Sequence, residues 1–152
     1  MCCGGRMFWF DKQHPNALYV DRRVVNPVMV GKGRNARIFS CVPDEVMDFR
    51  QLKFPDNSFS LIVFDPPHYV KAGERSYMAQ KYGVLEKNWE EDLRKGFAEC
   101  FRVLRTNGVL IFKWSEFHIP LRKILQLAPV HPLFGHPSGK AQKTHWVCFM
   151  KL

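Results

Sequence analysis

Three acidic residues lie where short apolar runs end, and their positions give the first indication of chemistry in this sequence. Asp21, Asp48 and Asp65 would stand along one edge if their runs were neighbouring strands of a doubly wound sheet. A nucleoside cofactor needs such an edge, because one acid binds the ribose hydroxyls, another binds an amino group of the base and a glycine turn allows close approach. Gly4 and Gly5 precede the acids and could form that turn. Each acid alone would more simply be a turn or cap residue, but together they favour a functional site.

The sequence Asp65-Pro66-Pro67-His68 follows one of these apolar runs. Leu61–Phe64 is apolar without alternation, which is typical of a strand covered on both faces. Pro66 and Pro67 cannot donate to a sheet, so they end the strand and stiffen the residues that follow. We therefore predict a rigid polar tip at the carboxyl end of a central strand, where ligands of open α/β sheets bind.

Strands and helices that could position these residues alternate along the chain. Strands are predicted at 17–20, 37–41, 45–49, 61–64, 109–112, 130–134 and 145–150, with a long loop or hairpin over 22–43. This order predicts an α/β fold with a mostly parallel sheet, helices on both faces and a C-terminal antiparallel hairpin. The length suits a single domain over residues 1–152.

The clearest predicted helix begins at Asn88, where Glu91 three residues later resembles a capping box. Its apolar residues recur at helical spacing and form one buried stripe: Trp89, Leu93, Phe97, Phe101 and Leu104. The sequence Arg105-Thr106-Asn107-Gly108 should end this helix. A second helix is predicted over about 120–127.

Composition limits the possible partners. The chain has 152 residues, 46% of them hydrophobic, and a net charge of +9. That charge favours a polyanionic partner such as nucleic acid, although a basic surface that only keeps the protein soluble explains it as well. The five cysteines form no CxxC pair, which indicates reduced thiols and a cytoplasmic protein. Neither they nor the six histidines match a zinc spacing, so no metal site is expected. No apolar run reaches the length of a membrane span, and the first residues do not resemble a signal peptide.

Several motifs together resemble class I S-adenosylmethionine-dependent methyltransferases. Asp65-Pro66-Pro67-His68 is similar to the Asp-Pro-Pro-Tyr motif of the members that methylate amino groups of adenine or cytosine. Residues 48–59 resemble the acid and "lpfpdnsFD" run before the fourth strand of that family, and residues 101–110 resemble its "fRvLkpgG-l" passage into the fifth. Because Cys3–Lys12 also resembles a run near the start of small phage and prophage members, the overall pattern is most similar to that type.

The resemblance implies a Rossmann-like sheet and the cofactor S-adenosyl-L-methionine. By position in the motifs, three residues would contact the methionine end of the cofactor: Cys3, Gly4 and Gly5. Asp21 would bind the ribose hydroxyls, and Asp48 with Phe49 would bind the adenine.

The resemblance also implies an acceptor side made by the Asp-Pro-Pro-His tip. Asp65 and the carbonyl of Pro66 would accept hydrogen bonds from the target amino group, with Pro66 and Pro67 holding the tip rigid. His68 replaces the usual aromatic residue and could stack on the target base, bind a different substrate or be structural. The implied partner is nucleic acid, DNA before RNA, and the alternative is a truncated, non-catalytic relative that binds nucleic acid without turnover.

Two further expectations concern the start of the chain and the segment after His68. The first strand and acid, which in this family precede the glycine turn, have no counterpart ahead of Cys3. We expect either a truncated product of a longer frame, which we favour, or another segment in that place. Residues 69–86 mix basic and aromatic side chains and could be a functional loop that contacts substrate, or a solvated loop: Lys71, Arg75, Tyr77, Lys81 and Tyr82.

Overall fold

The computed structural model describes residues 1–70 and 77–152. Its strands are β1 (Val20–Asp21), β2 (Val25–Val30), β3 (Arg37–Cys41), β4 (Glu45–Val46), β5 (Phe59–Phe64), β6 (Leu104–Ser115), β7 (Phe134–Ser138) and β8 (Thr144–Met150). Its helices are α1 (Tyr77–Tyr82), α2 (Trp89–Val103) and α3 (Leu121–Leu125), with a short 3₁₀ turn at Gly33–Asn35. No helix within 1–70 and 77–152 is long and apolar enough to cross a bilayer.

A four-stranded mixed sheet in the order β5-β6-β8-β7 forms the centre of the fold. Strands β5 and β6 are parallel, while β8 runs antiparallel to both β6 and β7. The α/β class and the C-terminal antiparallel hairpin are therefore confirmed. The prediction of a mostly parallel sheet is wrong for this sheet, which has one parallel and two antiparallel strand pairs. The first hairpin strand was predicted over 130–134, but it occupies Phe134–Ser138, a segment expected to be the connection. Pairing of β7 with β8 fixes this position, and His136 lies opposite Trp146.

Strand β5, which leads to Asp65, lies at the edge of this sheet rather than at its centre. Ile62 and Phe64 are buried, but Leu61 on the other face is 52% exposed. The prediction of a strand covered on both faces is therefore wrong, since an apolar run without alternation also fits a strand with one face only partly covered. Among the described residues, the outer edge of β5 is met by Met1, whose amino group donates to the Val63 carbonyl at 2.6 Å.

Helix α2 packs its apolar stripe against β5 and β6 and completes the main core. Gly96 permits the close approach, because a Cβ there would lie 2.6 Å from a ring carbon of Phe49. The predicted capping box does not form: Asn88 has φ −95° and ψ 35°, outside the extended region of capping residues, and its side chain makes no cap bond. Glu91 pairs with Arg94 instead. The helix ends at Val103, earlier than expected, because Leu104 already pairs with β5 as the first residue of β6.

The first half of the chain forms two small sheets. Strands β1 and β4 pair in parallel, and β2 and β3 form the expected antiparallel hairpin. The first three residues join the β1–β4 sheet to the main one: Met1 bonds to β5, and the Cys3 amide donates to the Val20 carbonyl of β1 at 3.0 Å. The amino-terminal segment therefore lies between the carboxyl end of β1 and the carboxyl end of β5.

Candidate functional site

A cavity of about 230 Å³ lies where β1 and β5 end. Eight of the residues predicted from the motifs line it: Cys3, Gly4, Gly5, Asp21, Phe49, Asp65, Pro66 and Pro67. A second cavity of about 420 Å³ lies between β5 and Leu18–Val20, is lined mainly by apolar side chains, and shares Cys3 and Asp65 with the first. The fold therefore brings residues from both predicted sides of the site to one opening.

Asp21 forms one wall of the cavity and is almost completely buried, with 4% of its surface exposed. Its Oδ2 accepts a hydrogen bond from the Gly4 amide at 3.1 Å, and its Oδ1 accepts one from the Arg23 amide at 2.9 Å. Gly4 has φ +47°, a conformation that glycine adopts without strain. The glycine turn is therefore fixed directly to the carboxylate, as expected for two parts of one binding loop.

Asp48 and Phe49, predicted together, occupy different environments. Phe49 lines the cavity, whereas the Asp48 carboxylate does not and is held by Arg50, with Nη2 at 2.6 Å and Nε at 2.9 Å. This pairing with the Arg50 guanidinium holds the pKa of Asp48 below its ordinary value. A contact between Asp48 and a ligand stays a prediction. In such a contact the carboxylate would bind the ligand and Arg50 at the same time.

Asp65 faces Pro66 and Pro67 from the other side of the cavity, and two cationic or potentially cationic groups adjoin it. The Lys113 ammonium lies 3.5 Å from Oδ2, and Nε2 of His68 lies 3.1 Å from Oδ1. The second contact is not aligned for a hydrogen bond, so Oδ1 is buried with no hydrogen-bond partner among the described residues. A buried carboxylate oxygen in that state is stabilised by a donor, and the nitrogen next to it is Nε2 of His68.

His68 lies behind Asp65 and not in the cavity lining. Its side chain is buried, and the imidazole packs edge-on against Trp114 with ring centroids 5.2 Å apart. In this arrangement the ring cannot stack on a base in the cavity, so the stacking role implied by the motif does not fit. The geometry fits a positioning role, in which the buried His68 side chain contacts the Asp65 carboxylate on the side away from the cavity.

Lys113 is a cavity residue that the motifs did not identify. Because Phe64 pairs with Phe112 in the parallel β5–β6 ladder, the next residues along each strand, Asp65 and Lys113, are brought side by side. The Lys113 ammonium also lies 4.5 Å from the centre of the Phe8 ring, within the range of a cation–π contact. The sequence does contain a signal for it, since Lys113 follows an apolar run as each of the three acids does.

The segment after His68 reaches the cavity through α1. Lys81 and Tyr82 line the opening, and Arg23 donates to the carbonyl of Lys81 at 3.4 Å. Lys71 and Arg75, which belong to the same basic and aromatic prediction, lie outside the described residues.

Comparisons with known proteins give a likeness of fold. No family model matches the chain, and no curated protein matches it. The PH0226 protein from Pyrococcus horikoshii superposes with a TM-score of 0.51 at 15% identity, over 71% of this chain and 58% of that one. The chain thus spans less than two thirds of the length of PH0226. At this identity the match shows a shared fold.

Two structures of TTHA0409, a candidate DNA modification methylase from Thermus thermophilus, are more distant. The selenomethionine form has a TM-score of 0.48 at 16% identity, over 68% of this chain and 50% of that one. The complex with S-adenosyl-L-methionine has a TM-score of 0.46 at 19% identity, over 68% and 53%. Scores at this level do not by themselves show a shared fold.

Proposed function

We propose that this chain is an S-adenosyl-L-methionine-dependent methyltransferase that acts on an exocyclic amino group of adenine or cytosine in DNA. The observation that carries the proposal is the convergence of Cys3–Gly5 and Asp21 with Asp65–Pro67 around one cavity. The motif resemblance assigns the first group to a methyl donor and the second to an amino acceptor. Methyl transfer needs those two binding sites to adjoin, because the reacting atoms must approach in line.

The donor side fits the cofactor in charge and shape. Asp21 offers a buried carboxylate for ribose hydroxyls, and Gly4 leaves open space where a side chain would otherwise stand. S-adenosyl-L-methionine, when bound, supplies an electrophilic methyl group on a sulfonium. The chain's contribution is to hold the ribose at Asp21 and the adenine beside Phe49, and to leave room between them and Asp65.

The acceptor side would activate the nitrogen without a covalent intermediate. An aromatic amine is a poor nucleophile because its lone pair is delocalised into the ring. Hydrogen bonds from its two N–H groups to the Asp65 carboxylate and the Pro66 carbonyl favour a tetrahedral nitrogen, which makes the lone pair available for attack. The proline pair fixes both acceptors in advance, and His68 and Lys113 support the carboxylate.

The proposal includes a Rossmann-like sheet order of the small phage and prophage type. In that order Met1–Cys3 takes the place of the first strand, and its main-chain bonds to Val63 and Val20 support this position. Three other cationic side chains at the cavity would contact phosphates of the nucleic acid: Arg22, Arg23 and Lys81.

The proposal is tested by calorimetric titration with S-adenosylhomocysteine in the presence of a metal chelator. We expect one binding site with micromolar affinity, and an affinity at least about 10-fold weaker in Asp21→Asn, since the ribose hydroxyls lose a charged acceptor. The exposed Asp11→Asn is the matched control and should bind as the wild type does. An absence of binding at high micromolar ligand excludes a methyltransferase activity for this chain.

A second candidate is a basic module that binds nucleic acid without turnover. It is favoured by the ion pairs of Asp65 with Lys113 and of Asp48 with Arg50, since both carboxylates already have cationic partners. Binding of DNA or RNA without any binding of S-adenosylhomocysteine would select this function.

A further inference from the structure

Three metal-ligating side chains from separate segments meet beside the glycine turn. The Sγ atoms of Cys3 and Cys41 and a carboxylate oxygen of Asp21 all lie within 4.8 Å of one another. Cys3 belongs to the amino-terminal segment, Asp21 to β1 and Cys41 to β3. Their positions in the sequence match no zinc spacing, which explains why no metal was expected; the fold alone brings them together.

The donor set is typical of zinc. Thiolates select soft or borderline metals, and two thiolates with a carboxylate make a three-ligand set that leaves a fourth position open. With Zn–S bonds of about 2.3 Å, tetrahedral geometry separates neighbouring ligand atoms by about 3.5–4 Å. The three ligand atoms lie within 4.8 Å of one another, so they would have to approach by at most about 1 Å to reach this range.

The surroundings resemble the outer shell of a metal site. The Asp21 carboxylate is oriented by the Gly4 and Arg23 amides, and such hydrogen bonds to a ligating carboxylate fix its direction. Two thiolates and a carboxylate around a divalent cation carry an excess negative charge. The Arg23 guanidinium, with Nε 3.4 Å from Asp21 Oδ1, offsets it.

Burial separates this cluster from ordinary surface thiols. Cys41 is fully buried and Asp21 nearly so, whereas Cys3 lines the cavity and is partly exposed. A metal could therefore enter from the cavity side, and the fourth position would be taken by water or by a ligand in the cavity.

A bound metal would cross-link three segments that are separate in the sequence. The β2–β3 hairpin has its own small cluster of buried residues, Val30, Phe39 and Cys41, separate from the main core. The amino-terminal segment contains three positive φ values close together, at Cys2, Gly4 and Arg6. A metal held by Cys3, Asp21 and Cys41 would tie both segments to β1.

We propose that Cys3, Asp21 and Cys41 form a zinc site beside the cavity. The proposal does not depend on methyl transfer, since it concerns affinity for a metal alone. It connects to the proposed function through Asp21, so bound zinc and the ribose of a nucleoside would compete for one carboxylate.

The test is a titration of reduced, chelator-treated protein with Zn²⁺, followed by competition with a chromogenic chelator. We expect one equivalent to bind and the thermal midpoint to rise with zinc concentration. Cys41→Ser should weaken binding by about 100-fold or more. Cys2→Ser is the matched control, because Cys2 adjoins Cys3 but lies outside the cluster, and it should bind zinc as the wild type does.

A second measurement keeps the proposal testable if Cys41→Ser does not fold. Co²⁺ in place of Zn²⁺ should give a thiolate-to-metal charge-transfer band in the wild type, and Asp21→Asn should alter the visible bands while keeping that absorption. Equal zinc affinity in Cys41→Ser, an equal loss in Cys2→Ser, or a wild type without the thiolate band would each overturn the site. Oxidation to a Cys3–Cys41 disulfide by peroxide, without zinc uptake by the reduced protein, would overturn it as well.

Discussion

The Asp65 carboxylate is oriented by its neighbours before a substrate is bound. Lys113 adjoins one oxygen, His68 adjoins the other, and Pro66 restricts the main chain next to it. Prearranged acceptors of this kind contribute more to a transition state than mobile ones, because they need no reorganisation during the reaction. The position of this carboxylate between Lys113 and His68 is thus the most specific feature of the proposed acceptor side.

Replacing Asp65 by alanine should separate binding from chemistry. We expect Asp65→Ala to reduce methyl transfer to DNA by about 100-fold to 1,000-fold, since it removes one of two acceptors of the amino hydrogens. The affinity for S-adenosylhomocysteine should change little, because that ligand carries no methyl group and is held by Asp21 and Phe49. Initial rates with labelled cofactor and calorimetry measure the two quantities.

The control for this variant is Asp56→Ala, which removes an exposed carboxylate that pairs with Arg102. It should leave both rate and affinity unchanged. If Asp65→Ala retains the wild-type rate, the carboxylate has no part in the reaction.

At the scale of residues, the sequence predicted correctly that Asp65–Pro67 follows a strand, but it did not predict the neighbours of these residues. Asp-Pro-Pro could be interpreted because proline has a strong local effect on the backbone. The position of Lys113 depends on the register between β5 and β6, which no local pattern specifies. Likewise, the burial of His68 depends on Trp114, which lies 46 residues later in the sequence.

Helix α2 connects the stability of the fold with the shape of the cavity through Gly96. Phe49 packs over this glycine on one side and lines the cavity on the other. Gly96→Ala would gain about 1 kcal/mol in helix propensity, but a Cβ at 2.6 Å from the ring cannot be accommodated without displacement. Overpacking costs about 1–3 kcal/mol, so we expect lower net stability and weaker binding of S-adenosylhomocysteine.

Urea denaturation and calorimetry measure both effects. Ala98→Gly, at an exposed position of the same helix, is the matched control. Its free energy of unfolding should be lower by about 1 kcal/mol, because glycine has a lower helix propensity than alanine. It should bind S-adenosylhomocysteine as the wild type does. A Gly96→Ala variant as stable as the wild type would show that Phe49 moves without cost.

The last turn of α2 is tied to the loop before β5 by Glu99. Its Oε2 accepts from the Leu52 amide at 2.6 Å and its Oε1 accepts from Arg102 Nε at 2.7 Å. The hydrogen bonds from the Arg102 guanidinium hold the pKa of Glu99 below its ordinary value of 4.5. The carboxylate therefore contributes stability that is complete above the unfolded pKa and is lost as the pH falls through the lower folded value.

Glu99→Gln should accordingly destabilise the protein at pH 7 by about 1–2 kcal/mol. The difference from the wild type should shrink as the pH falls below the ordinary value of 4.5. Urea denaturation across this range measures it, with the exposed Glu90→Gln as control. A difference that is independent of pH would assign the effect to packing rather than to charge.

Element types were easier to predict than element limits. The stripe of α2 and the apolar run of β6 were recognised because each repeats a local pattern. The limits of β7 were missed because pairing with β8 extends it over Gly135–Ser138, where glycine and proline would locally favour a turn. Tertiary pairing therefore overrode turn propensity there. In β6 the turn residues Arg105–Gly108 form an irregularity within the strand, since the register with β5 shifts between Leu104 and Val109 and Asn107 has φ +62°.

The net charge of +9 is the property of the whole molecule with the clearest functional consequence. Cationic side chains that neutralise phosphates release counterions, so affinity for DNA falls with salt by a slope of about 0.9 per phosphate. With Arg22, Arg23 and Lys81 each contacting one phosphate, affinity should fall by about 40-fold between 50 and 200 mM salt. Fluorescence anisotropy with a duplex oligonucleotide measures the slope.

Binding of S-adenosylhomocysteine serves as the control, because its affinity should depend only weakly on salt. A DNA affinity that does not change with ionic strength would indicate that the positive charge serves solubility and not recognition.

The open outer edge of β5 has a practical consequence during purification. In the described part of the chain, main-chain groups of this strand are paired on that side only next to Met1, and Leu61 is half exposed beside an apolar cavity. Such an edge is a template for sheet pairing between molecules, and repulsion between like-charged chains opposes it. High salt would strip bound nucleic acid from the protein but would also screen that repulsion. Preparations free of nucleic acid should therefore aggregate less at low ionic strength, after the salt has been removed.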